Sequence, residues 1–410
     1  MSGREPDAVK LPGLPLDAAL LWSALLLLGL GLVMVSSASM PLADQRYGDP
    51  LHLFWRQLAY AAVALVAGFC CYRLAAVALW RRLSLWAWPL AALLLALVLV
   101  PEVGREVNGS QRWLSLGPVS LQASELAKFL AIVYLAGLLY RQQRAVAESA
   151  WGSLRPLLAL TPLLALILVE PDLGAAGVIG ATAAGMVFLA GMRLLPLLLS
   201  LVGAVATLGL ALTLAPYRLA RLAAFRDPWQ DPFGDGFQLV QSLIAIGRGG
   251  VAGVGLGDSV QKLFYLPEAH TDFILAVLAE ELGLVGVLAL LFLYGMLVWR
   301  CFAIAARCQG ANNTFAAQIG YGVGLWLGLQ ALINVSVNLG LLPTKGLTLP
   351  LVSYGGSSLT ALGMALGLVL RIDAEHRLGR ASRPEVRPGA AVTRPLPRPT
   401  GAALPRREAA

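Results

Sequence analysis

The chain predicts an all-α polytopic membrane protein: ten transmembrane helices, both termini cytoplasmic, and one large extracytoplasmic loop before the eighth span. Three observations carry that expectation. Hydrophobic residues make up 58% of the 410 positions and charged ones only 13%, with a mean hydropathy of +0.72, whereas a soluble domain carries about 25% charged residues. Apolar runs of about 20 residues, the length that crosses a bilayer, recur along the chain. Lysine and arginine in the short connections alternate between rich and poor. The net charge of +8, from 31 basic and 23 acidic residues, is then mostly topological, and no basic patch interleaved with aromatics points to nucleic acid.

The runs fall near 16–36, 56–73, 84–100, 123–140, 155–170, 173–191, 194–214, 271–299, 314–338 and 351–370. The first follows Arg4 and Lys10 as a signal sequence does, but it exceeds the usual apolar core of about 7–15 residues and reads as an uncleaved span. The fifth and sixth are separated by Glu170-Pro171-Asp172, where the proline cannot continue an ordinary helix. One side of the bundle collects Arg73, Arg81 and Arg82, then Arg141, Arg144 and Arg155, then Arg193, then Arg300 and Arg307. Basic residues concentrate on the cytoplasmic side, so both termini lie there and the span number is even. Cys70, Cys71, Cys301 and Cys308 fall toward the same reducing side, which predicts no disulfide. The organisation that follows is a cytoplasmic tail over 1–14, a membrane domain over 15–372 with a large loop at 215–270, and a disordered basic tail over 373–410, rich in Pro, Arg and Ala.

Carboxylates are costly in hydrocarbon, so an intramembrane acid is a candidate functional group. Residues 267–286 hold the densest set: Asp272 at the entry of the eighth span, Glu268 and His270 beside it, Glu280 and Glu281 further in. Thr271 or Asp272 also suits a helix N-cap. Asp272 and Glu280 on one helix would share a face, about 12 Å apart. Glu280 and Glu281, deeper, must be paired, protonated or face a cavity, and are expected to be structural. The glycine run before them, Gly253 to Gly257, is either a flexible loop or a set of backbone N–H groups for a phosphate. It is no dinucleotide fingerprint, because no βαβ unit surrounds it. Glu125 and Lys128 are i,i+3 neighbours that pair locally or serve an anionic ligand. Gln330, Asn334 and Asn338 form an i, i+4, i+8 polar stripe that either glues helices or lines a cavity. Lys345 and the run Ser353-Tyr354-Gly355-Gly356-Ser357-Ser358 precede the tenth span, where small hydroxylated residues allow close packing or anion binding. Asp272, Glu125, Lys128, Asn338, Lys345 and the Ser353–Ser358 run all map to the outer half of the bundle, an outward-open polar cavity that suits a substrate with an apolar tail and an anionic, sugar-like head.

Several of these stretches are long and specific. They are Asp231-Pro232 through Gln238, Gln241-Ser242-Leu243-Ile244-Ala245-Ile246-Gly247, Lys262 through Phe273, and Leu349 through Ser358. With them the chain resembles the SEDS family of bacterial cell-wall polymerases over about residues 15–372. Lys262-Leu263-Phe264-Tyr265-Leu266 and Pro343-Thr344-Lys345-Gly346-Leu347-Thr348 are similar to its cell-division branch rather than its elongation branch. Arg248 departs from the pattern, where a small residue is expected. The resemblance implies a multi-pass peptidoglycan glycosyltransferase of the bacterial inner membrane that polymerises lipid II at the septum. It maps the catalytic aspartate onto Asp272 and supporting roles onto Glu125 and Lys128, with Lys262, His270, Asn338, Lys345, Ser353, Gly355 and Ser357 as further substrate-binding candidates. It implies as partners an FtsI-type monofunctional transpeptidase and the FtsQ–FtsL–FtsB activator complex. The expected reaction is a single inverting displacement with undecaprenyl diphosphate as leaving group, countered by Lys128, Lys262, Arg248 or a divalent cation (magnesium or manganese). No sequence feature fixes a metal site. The rival is a lipid II flippase, which would place its polar groups near the midplane and work through internal repeats.

Overall fold

The computed structural model describes residues 14–101, 103–107, 110–116, 119–213, 225–234, 236–344 and 346–381. Lys345 and the 1–13 and 382–410 tails lie outside the described residues, as does part of the predicted loop. The chain begins with three helices, α1 (Ala18–Tyr47), α2 (His52–Arg73) and α3 (Val77–Val98). Asp17 starts α1 by accepting the Leu20 N–H at 3.0 Å, and Gly48, at φ 68°, ends it. The next connection holds a small antiparallel sheet that the sequence reading did not anticipate. Its strands β1 (Gly104–Val107), β2 (Ser110–Leu116) and β3 (Val119–Gln122) lie in the order β1-β2-β3, with Trp113 paired to Gln122.

β3 runs directly into α4 (Ala123–Arg141), followed by the short α5 (Gln143–Glu148), then α6 (Ala150–Val169), α7 (Leu173–Leu189) and α8 (Leu194–Thr213). Asp172 caps α7 by accepting the Ala175 N–H at 3.0 Å, so the Glu170–Asp172 break does end one helix and start another. The remaining helices are α9 (Phe237–Gly249), α10 (Ile274–Gly310), α11 (Thr314–Asn338) and α12 (Gly356–Ala381). Among the described residues eight helices are long and apolar enough to cross a membrane, namely α1 to α4, α6 and α10 to α12; α7 is a shorter apolar helix.

Two boundaries differ from expectation. α10 continues to Gly310, and α12 continues to Ala381, past the 372 limit of the expected membrane domain. Residues 373–381 are therefore helical rather than part of a disordered tail. Their acids explain the difference: buried Asp373 receives Arg307 at 3.0 Å and Arg377 at 2.7 Å, and Glu375 takes Arg371 at 2.7 Å.

The core is formed by α4, α11 and α12, whose windows are largely buried inside the protein. Polar groups on these helices must find partners inside the bundle, because lipid supplies none. The bundle has two distinct polar ends. At one end buried Asp17 bonds Arg300 and receives Arg377 at 2.9 Å. Burial alone would raise its pKa, but the Arg300 and Leu20 hydrogen bonds and the arginine charges bring it below the ordinary value. Arg141 stands at this end too: it donates to Ser84, on α3, whose first N–H (Val77) bonds Glu375. The opposite end carries the turns before α10 and α12, the start of α4, and Asp272.

Candidate functional site

Asp272 lies in the turn before α10, outside the membrane-length helices, and does not cap it. The N-cap is Phe273, with no side-chain cap bond. Asp272 and Glu280 therefore do not share a helical face. The backbone around Asp272 is held from several sides. Asn334 donates to the Asp272 carbonyl at 2.9 Å and to that of Leu347 at 2.6 Å. Asn338, one turn along the same stripe, donates to the Asp272 carbonyl at 3.1 Å. Ser353 donates its hydroxyl to the Thr271 carbonyl at 2.6 Å, and the Tyr354 N–H reaches the His270 carbonyl at 3.0 Å.

The turn that supplies Ser353 is itself held. Buried Gln57 donates to the Ser353 carbonyl at 3.1 Å and accepts the Gly355 N–H at 3.2 Å. Ser357 accepts the Gln122 N–H at 2.8 Å, tying the starts of α4 and α12 together. Ser353, Gly355, Ser357 and Asn338 thus join the Asp272 region, each in a bond that sets backbone geometry. His270 packs its ring 5.6 Å from that of Tyr354. Burial lowers its pKa, against the raising charge of Glu268.

The Asp272 carboxylate, by contrast, receives no hydrogen bond from any described residue. A Cβ placed on Gly346 would stand 3.3 Å from its Oδ2, so glycine there leaves the carboxylate room. Burial first, then the charges of Glu268 and Asp172, raise its pKa to about 7, against the lowering effect of Arg112. A carboxylate so placed exchanges protons near neutrality, which is what a general base requires.

Glu280 and Glu281 are treated in the opposite way. Both are buried and their carboxylates are hydrogen-bonded, with only the Oε2 of Glu281 left without a partner among the described residues. Glu280 accepts from Ser259 at 2.5 Å, from the N–H groups of Val260 and Gln261 at 3.2 and 3.4 Å, and from Arg248 at 3.2 Å. Glu281 accepts from Ser37 at 2.6 Å and Lys262 at 2.9 Å. They anchor the glycine run, which pairs with α10 where that helix breaks at Gly283, at φ 65°. The N–H groups of Val254 and Gly255 reach the Glu280 and Glu281 carbonyls, and those of Leu284 and Val285 reach the Gly250 and Val251 carbonyls. A Cβ on Gly283 would lie 2.3 Å from the Gly253 nitrogen, so only glycine permits the approach. The loop's N–H groups are spent on this seam rather than presented to a phosphate.

Lys262 is corrected by the same seam. It donates to Glu281, to Ser37 at 2.9 Å and to the Gly257 carbonyl at 2.6 Å, which leaves its ammonium no donor for a substrate. Glu125 and Lys128 do pair, at 2.8 Å, and are almost completely buried. Lys128 also donates to Gln330 at 2.8 Å, and Gln330 donates to the Thr348 carbonyl at 2.9 Å. This layer sits one turn deeper on the α11 stripe than the Asn334–Asp272 bond, and Glu125 keeps a buried Oε2 with no partner.

Two residues that the sequence reading did not single out stand near Asp272 electrostatically: Arg112, on β2, and Asp172. Arg112 donates to the carbonyls of Glu170 and Pro171 at 3.0 and 2.7 Å, and its charge acts on Asp272. Asp172 accepts from Ser124 at 3.1 Å. The alternation in Gln111-Arg112-Trp113-Leu114-Ser115-Leu116 was a strand signal, and reading it so would have carried Arg112 toward α4. Among the described residues no group of three His, Cys, Asp or Glu side chains is arranged to hold a metal ion.

The family of cell cycle proteins that takes in FtsW, RodA and SpoVE matches residues 18–378. A protein of Thioalkalivibrio sulfidiphilus (strain HL-EbGR7), named probable peptidoglycan glycosyltransferase FtsW, is 55% identical over 88% of this chain and 90% of its own length. A protein of the same name from Coxiella burnetii is 50% identical over 88% of this chain and 96% of its own. Among solved structures, a chain from work on structural coordination of polymerization and crosslinking by a peptidoglycan synthase complex superposes with a TM-score of 0.73. It is 36% identical and covers 89% of this chain and 99% of its own. The Thermus thermophilus rod shape determining protein RodA gives a TM-score of 0.65 at 32% identity, over 90% of this chain and 99% of its own.

Proposed function

The chain belongs to the family of cell cycle proteins that takes in FtsW, RodA and SpoVE, and on that premise we propose a peptidoglycan glycosyltransferase of the FtsW type that polymerises lipid II for septal wall synthesis. The observation that carries this reading is the contrast within Asp272: a backbone held by Asn334, Asn338 and Thr271's bond to Ser353, and a carboxylate with no donor among the described residues.

The reaction is a single inverting displacement. The acceptor sugar hydroxyl attacks the anomeric carbon of the growing chain, and its oxygen bonds to that carbon. The bond to the diphosphate oxygen breaks, and its electron pair leaves with undecaprenyl diphosphate. Asp272 takes the hydroxyl proton, an assistance of about 10²–10⁴-fold. Arg112 supplies countercharge near the diphosphate, since Lys128 is committed to Glu125 and Lys262 to Glu281. Glu125 and Lys128 hold the floor of the site, with the Oε2 of Glu125 buried and without a partner among the described residues.

The topology that serves this chemistry has ten spans, counting α7 and α8, with the arginine-rich Asp17 end cytoplasmic and the Asp272 end outside. The structural neighbour from a peptidoglycan synthase complex supports an FtsI-type transpeptidase as partner. Activation by an FtsQ–FtsL–FtsB complex at the septum of the inner membrane completes the assignment. The test is purified protein with its transpeptidase partner and lipid II in vesicles. Glycan strands are the expected product. Lipid II scrambling across the bilayer without strands would overturn the reading in favour of a flippase.

A further inference from the structure

The arginines at the Asp17 end fall into two groups. Arg300, Arg307, Arg371 and Arg377 each pair with Asp17, Asp373 or Glu375. Arg141, Arg144 and Arg155 pair with no acidic side chain among the described residues. These three line a recess of about 460 Å³ where α4, α5 and α6 meet, together with Tyr140 and Gln142. Arg81 adds a further positive charge, stacked 5.4 Å from the Tyr140 ring. A topological excess of arginine needs only to be on the right side of the membrane; it does not need to converge on a recess free of acids.

The face of α6 beside the recess is graded along its length. Trp151, Arg155 and Leu158 follow at i, i+4 and i+7, one side of the helix. Trp151 is 56% exposed and Leu158 50% exposed. From the helix start inward the order is interfacial aromatic, cation, aliphatic side chain. Tryptophan marks the headgroup level, so the Arg155 backbone lies about 6 Å inside it and its long side chain extends back to the phosphates, while Leu158 stands where an acyl chain begins.

We propose that this recess binds the phosphate headgroup of an anionic phospholipid from the leaflet at this end, with an acyl chain running along α6 past Leu158. Basic recesses between membrane helices are suited to such headgroups. Guanidinium groups bond phosphate bidentately, and Arg144 and Arg155 are uncommitted. A soluble phosphate would use the same arginines but not Leu158.

Native mass spectrometry of the purified full chain, titrated in detergent with phosphatidylglycerol or phosphatidylcholine, reads the binding. Phosphatidylglycerol is expected to be retained in preference, and the Arg144→Gln/Arg155→Gln double variant to bind it about tenfold more weakly or worse. Arg82→Gln, an exposed charge loss at the same end on α3, is expected to leave binding unchanged, and Leu158→Gln to weaken it. Thermal unfolding of each variant establishes that it is folded. Equal retention of phosphatidylglycerol by the double variant, or of phosphatidylcholine by the wild type, overturns the proposal. Displacement of the lipid by glycerol phosphate at the lipid's own concentration also overturns it and identifies a soluble phosphate instead.

Discussion

Asp272 and the Glu280–Glu281 pair stand on neighbouring stretches of chain, the first before α10 and the others inside it. Around Glu280 and Glu281 the side-chain donors go to the carboxylates: Ser259 and Arg248, with two N–H groups, for one, Ser37 and Lys262 for the other. Around Asp272 every donor goes to the backbone, and the carboxylate is left to itself. Hydrogen bonds and ion pairs to a buried carboxylate satisfy it in place and tie its helix to its neighbours. A carboxylate desolvated among other acids and free of donors is drawn toward protonation, as burial and the charges of Glu268 and Asp172 draw Asp272. The distinction between an anchoring acid and a reactive one lies in where the surrounding donors point, not in depth or residue type.

The comparison breaks most sharply on substitution. Asp272→Asn keeps the backbone bonds and removes the base, so strand synthesis falls by about 10²-fold or more, with the thermal unfolding midpoint unchanged. Retained activity would place the base elsewhere. Glu281→Ala acts on the other side of the contrast. It leaves Lys262, whose side chain is 7% exposed, without its counterion, and costs about 3 kcal/mol of stability. Glu281→Leu combined with Lys262→Met restores most of that, as equilibrium unfolding will measure, because it removes both charges together. Arg248→Ala sharpens the point at the small end. Its side chain is 45% exposed, and an ion pair so screened contributes under about 1 kcal/mol.

The helices were legible because apolar runs of membrane length state themselves in composition, and the breaks at Pro171 and before α10 are written in residue type. That Glu280 and Glu281 must be paired, protonated or face a cavity was legible from their depth in the expected eighth span. Their partners were not, because Ser37 lies on α1 and nothing local to Lys262 says that its ammonium folds back onto α10. The sequence reading therefore placed Lys262 at the substrate, where the structure spends it on the helix break. Asn338 and Ser353 were grouped with Asp272, as helix glue or cavity lining for the first and close packing or anion binding for the second; their observed bonds go to the backbone carbonyls of Asp272 and Thr271. Arg112 was missed because its relation to Asp272 passes through the small sheet, whose strands are too short to stand out between long apolar runs.

The most direct test of Asp272 as the base is the pH dependence of kcat/KM for strand synthesis, read at lipid II well below saturation, where the profile reports the free enzyme. The base form is the deprotonated one, so the rate is predicted to rise with pH through a midpoint of about 7, the value burial and the charges of Glu268 and Asp172 set. Arg112 opposes that rise, so Arg112→Gln removes a positive charge and is predicted to move the midpoint upward. A profile without a rising limb near neutrality, or a midpoint that Arg112→Gln leaves in place, would contradict the assignment.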